Sequence, residues 1–214
     1  MNIVFEGVNG SGKTTIINHL RNLLDEKRVE YDYISDLATN TPLSPVLQQM
    51  FSESTFLEMD AFFRTSLYES LVLAADHHYI QEKYRDRTGL VLFDRDFISV
   101  LSYQKDIIRK DYPSDWEEFY DAFRTIMLFC LKKVDLLCYV SIPVEENILR
   151  TEQRDGRLFS DGEKELLVSL KDNMEREISL FCSGTGTPLL LLDGSVSPDI
   201  NGQLVLDRIG TLLV

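Results

Sequence analysis

Gly7-Val8-Asn9-Gly10-Ser11-Gly12-Lys13-Thr14 fills every fixed position of a G-x-x-x-x-G-K-[ST] phosphate loop. A nucleotide's phosphate tail needs many inward-pointing donors with no side chains in the way. Glycines at 7, 10 and 12 let the backbone N–H groups turn inward, and the N-terminus of a following helix adds partial positive charge. Lys13 is placed to reach the β- and γ-phosphates, and Thr14 to put its hydroxyl on Mg²⁺. Asn9, Ser11 and Thr15 complete the stretch expected to lie against the phosphates of ATP. A glycine-rich turn that binds nothing is the alternative, and the flanks argue against it. Ile3-Val4-Phe5 reads as a short buried strand, while Ile16, Ile17, Leu20, Leu23 and Leu24 fall at helical spacing over Thr14 to Lys27.

Two more groups could serve the same phosphates. Leu90-Val91-Leu92-Phe93-Asp94-Arg95 places an acid and a base at the carboxyl end of an expected parallel strand, where α/β proteins put their ligands. Asp94 would join the Mg²⁺ shell, and the Arg95 guanidinium would grip a phosphate through parallel hydrogen bonds. Taken alone, the pair could equally be a surface ion pair. Arg150, Arg154 and Arg157 follow a later strand and a short helix, with 150 and 154 on one face. With Gly156 among them they read as a lid over about 150–161 that neutralises charge during transfer, or else as a solvated helix end.

The elements that must position these residues follow from the alternation of short apolar runs with helical periodicity. Strands are expected at Ile3 to Phe5, Tyr31 to Ser35, Leu90 to Phe93, Leu136 to Ile142 and Leu189 to Leu192, with Gly89 and Pro188 marking two entry points. That pattern predicts an α/β fold with a mainly parallel five-stranded sheet in one domain spanning 1–214. Between the second and third strands a long helix is expected with Phe63, Leu67, Leu71, Ala74 or Ala75, and His78 on its apolar face. Trp116 to Lys133 is another, capped by Ser114 or Asp115, and Asp161 to Cys182 and Ile200 to Leu213 complete the set.

The 35 Asp and Glu against 22 Lys and Arg leave a formal charge of -13, which repels a nucleic-acid backbone and disfavours a polymer substrate. Cys130, Cys138 and Cys182 lack metal-ligand spacing and sit among apolar neighbours, so they read as reduced, buried thiols of a cytoplasmic protein. No apolar stretch approaches the roughly 20 residues that span a bilayer, so no membrane partner is expected. The phosphate loop begins too soon after Met1 to leave room for a targeting segment.

Over nearly its whole length the chain resembles the thymidylate kinase family of P-loop nucleoside monophosphate kinases. The resemblance is carried by Phe5 to Thr15, Thr41-Pro42-Leu43, Ala74-Ala75-Asp76, Asp94-Arg95, Ser99 with Tyr103-Gln104, and Val134-Asp135-Leu136 through Ile142-Pro143. It implies that Lys13 and the loop amides bind ATP, that Thr14 and Asp94 serve magnesium, and that Arg95 holds the acceptor's phosphate. Arg154 and Arg157 would clamp the transferring group, as in the bacterial subtype that draws its clamping arginine from the lid. Ser99 and Gln104 would lie beside the acceptor base, and a homodimer could form through the long helices.

Several acceptor-side positions depart from the family pattern. Asn9 stands where an acid reads the acceptor sugar, and Asp36-Leu37-Ala38 replaces Arg-Glu-Pro. Leu73 stands for the base-stacking aromatic, His77 for the base-reading arginine, Asp96 for a tyrosine and Val100 for a serine. The expected activity is transfer from Mg·ATP to a small nucleotide, dTMP or a related pyrimidine deoxynucleoside monophosphate. Asp36 opens a second expectation. A hydroxyl acceptor needs help losing its proton, and a carboxylate at that strand end is where the related deoxynucleoside kinases keep their base. A non-catalytic nucleotide sensor is a third expectation. A GTPase switch is excluded by Phe97 in place of glycine and by Lys132-Lys133-Val134-Asp135, which lies before a strand instead of after one.

Overall fold

The structure, a computed structural model, describes residues 1–35, 41–45, 66–131 and 133–212. Five strands alternate with helices: β1 Asn2–Glu6, α1 Lys13–Glu26, β2 Tyr31–Ser35, α2 Ser66–Lys83, β3 Leu90–Asp94, α3 Phe97–Asp111, α4 Trp116–Cys130, β4 Leu136–Ser141, α5 Val144–Asp155, α6 Asp161–Thr185, β5 Leu189–Asp193 and α7 Pro198–Leu212. The sheet runs β2-β3-β1-β4-β5, all parallel. Register aligns Phe5 with Asp94 and with Cys138, and Ser35 with Asp94, so the carboxyl ends share one edge. The chain leaves β1 for one flank of the sheet and later crosses to the other. That switch point above β1 is where a phosphate loop belongs.

Strand parity divides the core. Ile3 and Phe5 face α1 and α7, joining Ile16, Ile17, Leu20, Leu24, Leu92, Leu136, Val205 and Ile209. Val4, Val91, Phe93 and Leu137 face the other way, packing with Phe97, Ile98, Leu101, Leu170 and Met174. Because both faces are covered, the inner strands β1, β3 and β4 read as near-unbroken apolar runs, which is why they were legible.

The structure corrects or extends the sequence-based expectations in five places. Helix α3 follows Asp94-Arg95 directly and was not anticipated. On α2 the expected stripe is out of phase: Leu67 and Leu71 are about half exposed and His78 is exposed, while Val72, Leu73, Ile80, Glu69, Ser70, Asp76, His77 and Gln81 are buried. Phe63 lies outside the described residues. Asp115 precedes α4 without a side-chain capping bond. Of the three thiols only Cys138 is buried; Cys130 and Cys182 are half-buried, and among the described residues none is in a disulfide. A capping box that was not anticipated, Ser160 with Glu163, starts α6.

Among the described residues no helix is long and apolar enough to cross a membrane. Leu92, fully buried on β3 between β1 and β2, tests the core. Leu92→Ala should cost about 2–5 kcal/mol, read from the urea unfolding midpoint.

Candidate active site

The phosphate loop wraps because glycines at two positions hold conformations other residues avoid. Gly10 has φ +79° and Gly12, the N-cap of α1, has φ +89°. Ser11 N donates to Val8 O at 3.2 Å, which closes the turn. Together with Arg95, Arg150 and Arg154, the stretch from Val8 to Thr15 lines an open cavity of about 360 Å³.

Lys13, first residue of α1, and Asp94, last of β3, are both buried and form an ion pair through Asp94 Oδ1. Thr14 Oγ1 and Tyr33 OH lie 3.3 Å and 3.2 Å from Asp94 Oδ2. This pairing satisfies both charges without ligand. A carboxylate beside a hydroxyl is a hard oxygen set of the kind Mg²⁺ takes, so Thr14 and Asp94 fit that ion. Among the described residues no cluster of three or more His, Cys, Asp or Glu offers a dedicated metal site. A phosphate-bridging ion held by few protein ligands does not require one.

Arg95 adopts φ +69°, a left-handed conformation unusual for arginine, with its N–H donating to Phe5 O at 2.9 Å. That turn sends its side chain to Tyr103 OH at 3.0 Å and to Asn9 Oδ1. From α5, Arg150 donates to Gly194 O at 3.0 Å and pairs with Glu146, whose other oxygen accepts from Ser195 Oγ at 2.8 Å. Arg154 reaches the cavity while paired with Asp155 at 2.7 Å. Arg157 does not line the cavity. It bonds Glu163 at 2.6 Å, which, with the Ser160 donors, holds that carboxyl down at about 2.

The expected acceptor-side residues His77, Ser99 and Gln104 lie in a buried polar layer between α2 and α3. Ser99 Oγ and the backbone N–H groups of Ser99 and Asp96 donate to Glu6. Gln104 Nε2 donates to Glu69 at 2.6 Å and its carbonyl accepts from Ser70 at 3.2 Å. Gln81 Nε2 donates to Asp96 Oδ2 at 3.1 Å. His77 Nδ1 lies 2.9 Å from Asp96 Oδ1 but out of line, so among the described residues both its ring nitrogens lack a hydrogen-bond partner. Asp36 lies outside the described residues.

Sequence reasoning missed Glu6, Glu69, Asn147 and Thr151. An ionisable residue directly before the glycine loop, and polar residues four apart on the arginine-bearing helix, were the available signals.

A family model described as Thymidylate kinase matches residues 5–183. The chain belongs to the thymidylate kinase family. A protein of Methanobrevibacter smithii named probable thymidylate kinase is 28% identical over 201 residues, covering 92% of this chain and 95% of that one. Among solved structures, deoxyadenosine kinase from M. mycoides with products dCMP and dCDP superimposes with a TM-score of 0.68 at 16% identity, covering 99% and 100% of the two chains. The same kinase with bound dATP also gives 0.68, at 15% identity and 98% and 100% coverage. At that identity the match shows the fold. Thymidylate kinase family membership makes this protein a phosphotransferase with the family's P-loop kinase fold.

Burial, with the Asp96 charge beside it, pushes Glu6 up to about 7, and burial pushes Glu69 up to about 8. The folded state therefore holds protons that the unfolded chain releases near 4.5. Their contribution to stability is full below that value and is lost as pH rises through about 7 and 8. Glu69→Gln should flatten the part of this decline above neutrality, measured as Tm across a pH series.

Proposed function

We propose that this kinase transfers the γ-phosphoryl group of ATP to a deoxynucleoside monophosphate, dTMP or a related pyrimidine nucleotide. The observation that carries this reading is the convergence of Lys13, Thr14, Asp94 and Arg95 at the carboxyl ends of adjacent parallel strands, beside a cavity also lined by Arg150 and Arg154.

The loop amides and Lys13 hold the β- and γ-phosphates, with Lys13 exchanging Asp94 for phosphate oxygen. Thr14 and Asp94 would hold Mg²⁺, which would supply charge neutralisation for the phosphates. Arg95 exchanges Asn9 for the acceptor's phosphate and sets one of its oxygens in line with the γ-phosphorus. The new O–P bond forms as the bond to the β–γ bridging oxygen breaks, leaving ADP and a nucleoside diphosphate. Arg154, paired among the described residues with its neighbour Asp155, would turn toward the developing charge. Arg157 is tied to Glu163 and reaches the phosphates only if that pair opens. The loop at Asp193-Gly194-Ser195, joined to α5 through Arg150 and Glu146, would border the adenine.

A monophosphate brings its own nucleophile, since its second pKa is about 6. No base is then needed, in keeping with a site in which Asp94, the carboxylate against Thr14, is already paired with Lys13. A deoxynucleoside acceptor is the second reading, favoured by the fold match to deoxyadenosine kinase and by Asp36.

Incubation with Mg·ATP and a panel of nucleosides and monophosphates, analysed by mass, should yield a diphosphate from a pyrimidine deoxynucleoside monophosphate. Lys13→Ala should lower kcat/KM by roughly 10²–10³-fold while circular dichroism keeps the native helix content. Retained transfer in that variant would overturn the mechanism. Asp36→Asn should leave turnover unchanged; its abolition would establish the hydroxyl-acceptor reading instead.

A further inference from the structure

The face of α5 that carries Arg150 and Arg154 also carries Asn147 and Thr151, at spacings of three and four. Unlike the arginines these two are buried, 2% and 1% exposed, and they abut the phosphate loop. Asn147 Nδ2 donates to the backbone carbonyl of Asn9. Thr151 Oγ1 donates back to Asn147 O at 2.8 Å, with Asn9 O a longer second acceptor at 3.4 Å. The approach leaves no space: a Cβ on Gly10 would stand 2.5 Å from Thr151 Oγ1 and 3.1 Å from Asn147 Nδ2. The other end of Asn9 is engaged too, its Oδ1 accepting from Arg95 Nη2. Asn9 is therefore held from the lid helix through its backbone and holds an arginine through its side chain.

We propose that Asn147 is a positioning residue: by fixing Asn9 it sets where Arg95 stands, so that the arginine meant for the acceptor phosphate is placed from the helix that carries the lid. This rests on the monophosphate reading above. The chemistry of Asn9 suits the task. A neutral amide oxygen holds a guanidinium more weakly than a carboxylate does, so an arriving phosphate can displace it. The same contact anchors the first two turns of α5 to the phosphate loop. Movement over the phosphates is then left to the chain from Arg154 onward, which makes no such contact with the loop among the described residues.

The test uses Asn147→Leu, which keeps the volume and removes the donor, with Asn147→Ala and Asn147→Ser as variants that do not overfill the site. Steady-state kinetics with the monophosphate that the wild type uses are compared with calorimetric binding of a non-hydrolysable ATP analogue to the free enzyme. Loss of one buried hydrogen bond should raise the acceptor KM by about tenfold, while Kd for the analogue changes by less than about twofold. In an Arg95→Ala background the Asn147 substitutions should add nothing to the acceptor KM, as expected if they act through that side chain. An unchanged acceptor KM in an active enzyme, a parallel rise in KM and analogue Kd, or full additivity with Arg95→Ala would each overturn the proposal. A wild-type enzyme that phosphorylates no monophosphate would overturn the functional reading itself, and this inference with it.

Discussion

The buried contact between Lys13 and Asp94 is the constraint around which the rest of the site is arranged. Neither charge can be left alone in a water-poor crevice, and an ion pair taken out of water is seldom a net gain over apolar packing. In the proposed reaction such a pair is useful because each member would gain a second partner: phosphate for the lysine, magnesium for the aspartate. The pairing requires the end of β3 to lie beside the start of α1. Parallel register between β1 and β3 provides this, setting Asp94 opposite Phe5 with the phosphate loop starting two residues later. The apolar residues of β1 and β3, packed on both sheet faces, fix that register.

The same logic extends across the remaining cations. Arg150 is paired with Glu146, Arg154 with Asp155 and Arg157 with Glu163, while Arg95 rests on neutral oxygens of Asn9 and Tyr103. Most of the site's cations are thus paired with neighbouring carboxylates. Binding then exchanges one set of charge-assisted hydrogen bonds for another. Such an exchange contributes less to raw affinity than to selecting ligands with enough phosphate oxygens to satisfy every released cation. The chain's excess of acid fits this arrangement, since Lys13, Arg150, Arg154 and Arg157 each have a carboxylate at hand.

The donor side was legible because its chemistry is local. Gly7 to Thr14 specify their own conformation, and Asp94-Arg95 need only a strand before them. The acceptor side was not, and α2 shows why. A helical wheel assumes that buried means apolar, yet α2 turns Glu69, Ser70, Asp76, His77 and Gln81 inward and leaves Leu67 and Leu71 half exposed, so periodicity picked the wrong face. Helix α3 escaped for a related reason: Ser99, Ser102 and Gln104 interrupt its apolar pattern on the side that is buried. Arg157 shows another limit. Its spacing resembles a lid residue, but whether it faces the phosphates or Glu163 depends on the capping box of the next helix.

Those inward polar residues also tell against a role in stability alone. A layer that only joined two helices would be cheaper to build from leucine, because buried polar atoms without partners carry a desolvation cost of about 1–3 kcal/mol each. Here Glu69 Oε2 and both ring nitrogens of His77 lack hydrogen-bond partners among the described residues, while Glu6, at the foot of the phosphate loop, is driven toward its neutral form. Protonation lets Glu6 and Glu69 remain buried without a cation, so the layer keeps hydrogen-bonding capacity with reduced charge. A nucleobase is recognised by directional donors and acceptors in a dry setting, and strong local charge would favour water or a counter-ion in its place. The interior between α2 and α3 differs in just that respect from the cavity under Arg150 and Arg154: one keeps hydrogen-bonding groups at reduced charge, the other is lined by cations.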